Sequence, residues 1–323
     1  AGDTCGFNQA PYTTLIPSTK RWQAYVNGTF RVSDNVEAFG EVLYSDIKGV
    51  SWFGSSPYFT LESGRFALNA DTGLAEPVSS NLPASSPYNP YGRAIPIEYT
   101  FFDLGGTIKT NRSQAYRGLV GLRGSTANWD WEVGAFGARS SERETVSGGF
   151  ANRWALADAL ASGSYNLLNP SATPQSVIDA INISTLRPAE SVLQGVDAKI
   201  SGTLGRTWAG DIGFAAGAEW RREKLDSNNP WQIDAGLQVR PAIAEVHGER
   251  KVSAAYAEVN VPLATGLELS AAARADHYDD FGDAFSPKLG LRWQPLDFLL
   301  VRASASKGFR APSLSENSNS TSI

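Results

Sequence analysis

Residues 21–32 read RWQAYVNGTFRV. The even positions are Trp22, Ala24, Val26, Gly28, Phe30 and Val32, and the odd ones are Arg21, Gln23, Tyr25, Asn27, Thr29 and Arg31. Successive side chains of a strand point to opposite sides, so this alternation gives one apolar and one polar face. The run is about twice the ~5–6 residues usual for a strand in a globular protein. It suits a tilted strand crossing a bilayer, which takes ~9–11 residues.

The pattern returns along the chain. Trp129, Trp131, Val133 and Ala135 oppose Asp130 and Glu132. Ile212, Phe214, Ala216, Ala218 and Trp220 oppose Asp211, Gly213, Glu219 and Arg221. Leu267, Leu269, Ala271, Ala273 and Ala275 oppose Glu268, Ser270, Arg274 and Asp276, and Phe285, Leu289, Leu291 and Trp293 oppose Ser286, Lys288, Gly290 and Arg292. The spacing predicts strands at 20–32, 36–48, 113–124, 128–141, 190–204, 210–224, 250–262, 267–279, 284–293 and 298–308.

The connections between these strands alternate, a short turn followed by a longer segment. The long ones are 49–112, 142–189 and 225–249, and 280–283 is of moderate length. Transmembrane barrels have this asymmetry, with short periplasmic turns and long extracellular loops. Phe30, Trp129, Trp131, Trp208, Trp293 and Phe298 lie beside the short turns, and Trp22, Tyr44, Tyr116, Trp220, Tyr278 and Phe285 lie near the other strand ends. Two aromatic belts one strand length apart are what two membrane–water interfaces select. The fold class is therefore all-β, an antiparallel transmembrane β-barrel with long extracellular loops. Within those loops, 152–161 and 175–181 read as short helices, the second starting after Pro174.

Composition excludes several alternatives. A net charge of −5 with no concentrated Lys/Arg stretch argues against a nucleic-acid partner. Cys5 is the one cysteine, so an intrachain disulfide or a four-cysteine zinc site is ruled out. His247 and His277 stand thirty positions apart, and neither a nucleophile elbow nor a phosphate loop is present, so no enzyme and no cofactor is expected. The glycines of GLVGLRG (118–124) suit close strand packing better than a dinucleotide turn. No apolar run approaches the ~18 residues of a membrane helix.

The last third of the chain carries a resemblance. AYAEVNVPL (255–263), LELSAAARADHYDDFGDAFSPKLGLRWQP (267–295) and LVRASASKGFRAPSLSE (300–316) together resemble TonB-dependent outer-membrane receptors. The positions that carry it are Glu258, Asn260, Pro262 and Leu263; Arg274, Asp276, Tyr278, Phe281 and Gly282; Pro287, Lys288, Gly290, Trp293 and Pro295; then 307–313. Upstream, EAFGEVLYS (37–45), YNPYG (88–92), YRGLVGLRG (116–124) and GAEWRREKLDS (217–227) are similar to strands and loops of the same family.

The resemblance implies a 22-stranded barrel with a plug domain in its lumen and an N-terminal box that engages TonB. It implies energised uptake of a scarce or bulky nutrient, such as a ferric siderophore, cobalamin or an oligosaccharide. Residues 1–323 are then expected to be part of one barrel domain, about ten strands of it, with the plug and the C-terminal strands outside this chain. The expected partners are TonB, the protein's own plug, outer-membrane lipid and a small nutrient. The competing functions are a passive porin-like channel and a soluble glycan-binding β-protein.

Aromatic loop residues Trp52, Tyr58, Tyr88, Tyr91 and Trp154 are the candidate substrate contacts, with at least one expected to face the lumen. Arg310 is either a lumen charge that meets plug or substrate, or half of a structural ion pair. Pro312 cannot donate to a ladder, so the strand should loosen there and 313–323 should open an extracellular loop. Asp279, Asp280 and Asp283 offer oxygen ligands of the kind calcium takes, though a solvated loop tip is the simpler reading.

Overall fold

The computed structural model describes residues 13–52, 66–79, 81–97, 99, 101–238 and 245–317. One ten-stranded sheet dominates, with its strands in chain order and every neighbouring pair antiparallel. The strands are β1 (Ser18–Ser33), β2 (Val36–Trp52), β3 (Ile108–Ser125), β4 (Trp129–Ala151) and β5 (Asn182–Thr207). They continue as β6 (Gly210–Ser227), β7 (Val246–Ala264), β8 (Leu267–Tyr278), β9 (Gly282–Leu296) and β10 (Leu299–Ser306). The sheet is open: β1 and β10 form its two edges among the described residues.

The register joins the separate apolar faces into one. Residues directly opposite in a ladder lie on the same side of the sheet. Following the pairs from β1 gives Phe30, Ala38, Leu122, Val133, Ala198, Ala218, Ala255, Ala275 and Phe285 in a single row. One residue along, on the opposite face, the row reads Arg31, Glu37, Arg123, Glu132 and Lys199. Its charges alternate in sign, and Arg123 bonds Glu37 while Lys199 bonds Glu132 at 2.9 Å. One face is hydrocarbon, and the other is a polar wall that neutralises itself.

Burial says which face is enclosed. In the regular ladder the buried positions Val146, Thr185, Ser227, Val246, Val252, Ala254, Asp276 and Tyr278 all have the parity of the charged face. That face is the lumen side, and the apolar one meets lipid. Within GLVGLRG, Gly121 and Gly124 are closely packed while Gly118 faces open space. Gly121 lies under the Phe39 ring of its partner strand, where an added Cβ would come within 2.3 Å of the ring and 2.6 Å of the Val133 carbonyl.

Three features differ from the sequence expectation. First, β4 and β5 run to 23 and 26 residues, more than twice what a bilayer requires, so their upper halves stand clear of the membrane. Second, β8 and β9 are joined by Asp279–Phe281 alone, so this upper connection is as tight as the turns at the other end. The short–long alternation holds for the first three hairpins and fails at the fourth. Third, the ladder does stop at Ser306, but residues 307–317 then fold back over the lumen face of β7 and β8.

Candidate functional site

Two surfaces on the lumen side hold the chain's candidate functional groups. One is a cap built from the long connections, and the other is a charged wall on β6–β8.

The cap begins where alternation ends. Helix α1 (Arg153–Ser162) starts at Asn152, whose side chain accepts bonds from the Trp154 and Ala155 amides at 3.1 and 3.4 Å. These satisfy helix-end donors that would otherwise be orphaned. The helix stops at Gly163, in the left-handed region at φ 77°, where an added Cβ would sit 2.2 Å from Pro87. Helix α2 (Gln175–Ile181) follows Pro174. Between β2 and β3, the hairpins Phe66–Leu68/Ala75–Pro77 and Asn81–Leu82/Ile95–Pro96 lie against these helices.

The cap has its own hydrophobic core, made of Leu82, Phe101, Leu104, Ala151, Leu156, Ala159, Leu160, Tyr165, Ile178 and Ile181. The Phe101 and Tyr165 rings meet edge to face at 5.2 Å, and Tyr99 packs on both. The Tyr165 hydroxyl donates to Asp103, whose other carboxylate oxygen is buried without a hydrogen-bond partner. Burial raises the Asp103 carboxyl above its ordinary value. Burial and the neighbouring Asp103 push the Tyr165 phenol up far more.

Arg153 ties three connections together. Its Nε donates to the Gly236 carbonyl at 2.7 Å, its Nη2 bonds Glu76, and its guanidinium stacks 4.3 Å from the Trp154 ring centre. Arg153 in turn holds the Glu76 carboxyl below its usual value. With 9% of its side chain exposed, Arg153 is close to fully desolvated. Arg153→Ala would leave Glu76 and the Gly236 carbonyl short of a donor, and should cost the cap about 1–3 kcal/mol. Hydrogen exchange at residues 66–79 and 228–238 should quicken while β6–β8 stay protected; unchanged exchange there would remove this role.

The second surface is a chain of charges. Arg221 bonds Glu219 and Glu223, Arg250 bonds Glu223 at 2.7 Å, and Arg274 reaches Asp276 at 2.9 Å and Glu219 at 3.5 Å. Residues 307–317 dock on it. Phe309 packs on Tyr278 and Phe281 at 5.9 and 5.6 Å, and Arg250 donates to the Pro312 carbonyl at 2.7 Å. Ser313 and Glu316 form a capping box on the short helix α3 (Leu314–Asn317): the Glu316 carboxylate accepts from the Ser313 amide at 2.7 Å, and the Ser313 hydroxyl from the Glu316 amide at 3.2 Å.

The sequence candidates fall in different places. Trp52 ends β2 and is exposed, as are Tyr91 and Trp154 on the cap. Tyr88 packs on the cap core and its hydroxyl donates to the Gly163 carbonyl at 3.3 Å. Tyr58 lies outside the described residues. Trp154 lines a cavity of about 520 Å³ between α1 and the chain from Glu76 to Pro83. Arg310 forms a two-point ion pair with Glu316 at 2.8 Å, which holds the Glu316 carboxyl down to about 2. The three aspartates diverge: Asp279 accepts from the Lys251 amide, Asp280 from Asn317, and Asp283 faces His277. Among the described residues, no cluster of three metal-type ligands forms. Sequence reading missed Arg153, Asp103 and Tyr165, whose partners lie 62 to 83 positions away. The local signals at hand were the Asn152 cap and the apolar spacing of α1.

The family model for the TonB dependent receptor-like β-barrel matches residues 6–322. The chain belongs to that family. Its members are outer-membrane receptors and transporters, and the apolar face of this sheet is accordingly the face toward outer-membrane lipid. Among curated relatives, it is similar to the ferric enterobactin receptor of Pseudomonas aeruginosa, 32% identical over 104 residues. It is also similar to that organism's ferric enterobactin receptor PirA, 31% identical over 109 residues. These alignments take in 30% and 31% of this chain and only 14% of either relative. The crystal structure of the siderophore receptor PirA from Acinetobacter baumannii aligns with 93% of this chain and 34% of its own, at 12% identity and a TM-score of 0.46.

Proposed function

We propose that this chain is barrel wall from a receptor that imports a ferric siderophore across the outer membrane, with energy delivered through TonB. The family membership over residues 6–322 carries the receptor reading. The siderophore class is supported by the two curated relatives, each named as a ferric enterobactin receptor. Cobalamin and oligosaccharides are the other cargo classes of the resemblance.

On this reading the ten strands are one part of a single barrel domain. The remaining strands close it, because an unpaired strand edge in lipid leaves backbone groups unsatisfied at several kcal/mol each. A plug domain then lies against the alternating charges of Glu37, Arg123, Glu132 and Lys199. Cargo first meets the exposed aromatics Tyr91 and Trp154, whose π-faces suit aryl groups, whereas Trp52 has the outward parity of Lys48 and Val50 on the same strand. The acidic tips at Asp279 and Asp280 add a mild repulsion toward an anionic complex.

The test is uptake by cells that lack their own ferric-siderophore receptors and express the full-length protein. Radioactive iron supplied as ferric enterobactin should accumulate, and a protonophore should abolish accumulation. Uptake that survives the protonophore would make the protein a passive channel. Energised uptake of cobalamin or an oligosaccharide without iron would keep the receptor and overturn the siderophore.

A further inference from the structure

The outward face above the lipid band contains a row unlike any other in the sheet. Going up the strands from the apolar rows, Tyr44 and Tyr116 stack at 4.9 Å on the outward side, an aromatic pair at interface height. Four residues further along β2, the ladder pairs Lys20 with Lys48, Lys48 with Arg112, and Arg112 with Arg143. Directly opposed residues have Cβ atoms ~4.5–5.5 Å apart, and like charges so placed repel. Four cations thus stand side by side across four strands.

The neighbouring rows do not neutralise them. Below lie Trp22, Asp46, Gln114 and Ser141; above lie Ser18, Val50, Thr110 and Thr145. Asp46 is the single carboxylate among these, and Arg112 takes it with two bonds, at 2.6 and 3.1 Å. Lys20, Lys48 and Arg143 are exposed and have no ion-pair partner among the described residues. Elsewhere on the outward side Arg139 is matched by Glu190, Arg222 by Glu249 and Lys224 by Asp226, and the one further opposed pair of cations among the described residues, Arg222 with Lys251, has Glu249 beside it. The lumen row is matched as well, by its alternating signs. Among the described strands, cations face each other in pairs at Arg222 with Lys251 and at Arg292 with Arg302, but four in succession occur in this outward row alone.

Four residues of strand rise span ~13 Å, which a tilt of ~35–45° reduces to a height of about 10 Å above the tyrosines. That is the headgroup zone of the outer leaflet, continuous with the lipid-facing surface. We propose that the outward faces of β1–β4 form a docking surface for the phosphates of an anionic glycolipid of the outer leaflet, with Lys20, Lys48, Arg112 and Arg143 as the phosphate-facing row. Arg112, positioned by Asp46, offers a fixed fork, and the other three offer unpaired charge to oxygens that fit it. An anion there replaces repulsion along the row with attraction.

The full-length protein in non-ionic detergent can be titrated with bisphosphorylated lipid A and with its dephosphorylated counterpart, with bound lipid counted by native mass spectrometry. The phosphorylated lipid should bind more tightly. The triple variant Lys20→Gln, Lys48→Gln, Arg143→Gln should weaken it by roughly a hundred-fold, the combined loss of three cations near an anionic surface. Lys224→Gln, whose charge already faces Asp226, should bind as the parent does. Equal binding of the two lipids by the unaltered protein would overturn the proposal, and so would a triple variant with undiminished binding. A loss in Lys224→Gln as large as in the triple variant would also overturn it, by showing a diffuse charge effect. The lipid comparison on the unaltered protein decides even if the triple variant folds poorly. It is independent of cargo, so a failed iron-uptake experiment leaves it standing.

Discussion

Ala216→Arg should destabilise the barrel by about 2–4 kcal/mol, the cost of an arginine on the lipid face at bilayer mid-depth. Ala216 sits midway along the apolar residues of β6, between Ile212 and Trp220, and its ladder partners are Ile200 and Ala257. A guanidinium there has only hydrocarbon around it, and both interfaces are too far for the side chain to reach freely. The adjacent Ala215→Arg points into the lumen, opposite Ser201 and Glu258. A cross-strand opposite charge is favourable by ~0.2–1 kcal/mol, so that variant should match or exceed the parent. The measurement is reversible urea unfolding of the full-length protein in phospholipid vesicles, followed by tryptophan fluorescence. Equal losses in the two variants would mean that the lumen and lipid faces have been assigned to the wrong parities.

The same contrast explains what the sequence made legible. Alternation is visible wherever one side meets hydrocarbon and the other meets charge, as in Trp22 to Val32 or Ile212 to Trp220. It vanishes where both sides meet water. Residues 140–149, SSERETVSGG, are strand in β4, yet no apolar face marks them, because this part of the strand stands above the membrane. The predicted end at residue 141 was therefore the end of the lipid band, and the strand itself continues. The helices α1 and α2 were legible from local chemistry, an asparagine cap in one and Pro174 in the other. Their packing was not, since Tyr165 finds Asp103 62 positions away and Asn182 finds the Leu104 carbonyl 78 positions away. The tight Asp279–Phe281 turn and the inward fold of 307–317 depend on Phe309 meeting Tyr278 and Phe281, a contact that no periodicity announces.

Phe101→Ala should cost the cap about 3–5 kcal/mol, because the ring is fully buried and its removal leaves a cavity between Tyr99 and Tyr165. The loss should be local. The cap's core meets the sheet at Ala151, the last residue of β4, and includes no residue of β6–β8, so hydrogen exchange should rise across 152–181 while the protection of β6–β8 stays at its parent level. Uniform loss in both regions would mean that cap and wall unfold as one unit. The cap should also respond to pH through Asp103. Its carboxyl is raised in the folded cap, so the folded form binds more protons than the unfolded one between the ordinary carboxylate value and the raised one. Cap stability therefore falls as pH climbs through that window and is greatest on the acid side. Asp103→Asn cannot titrate and keeps an oxygen for the Tyr165 hydroxyl, so it should flatten the slope; a slope that survived the substitution would place its origin in another group. The direction runs opposite to that of Glu76 and Glu316, whose lowered values add stability that is lost in acid. Glu316 is exposed and Glu76 half-buried, both paired with arginine where solvent weakens the linkage, and Asp103 is the carboxylate with a buried oxygen left over. From the ordinary carboxylate value up to the raised one, Asp103 should therefore set the sign for the cap.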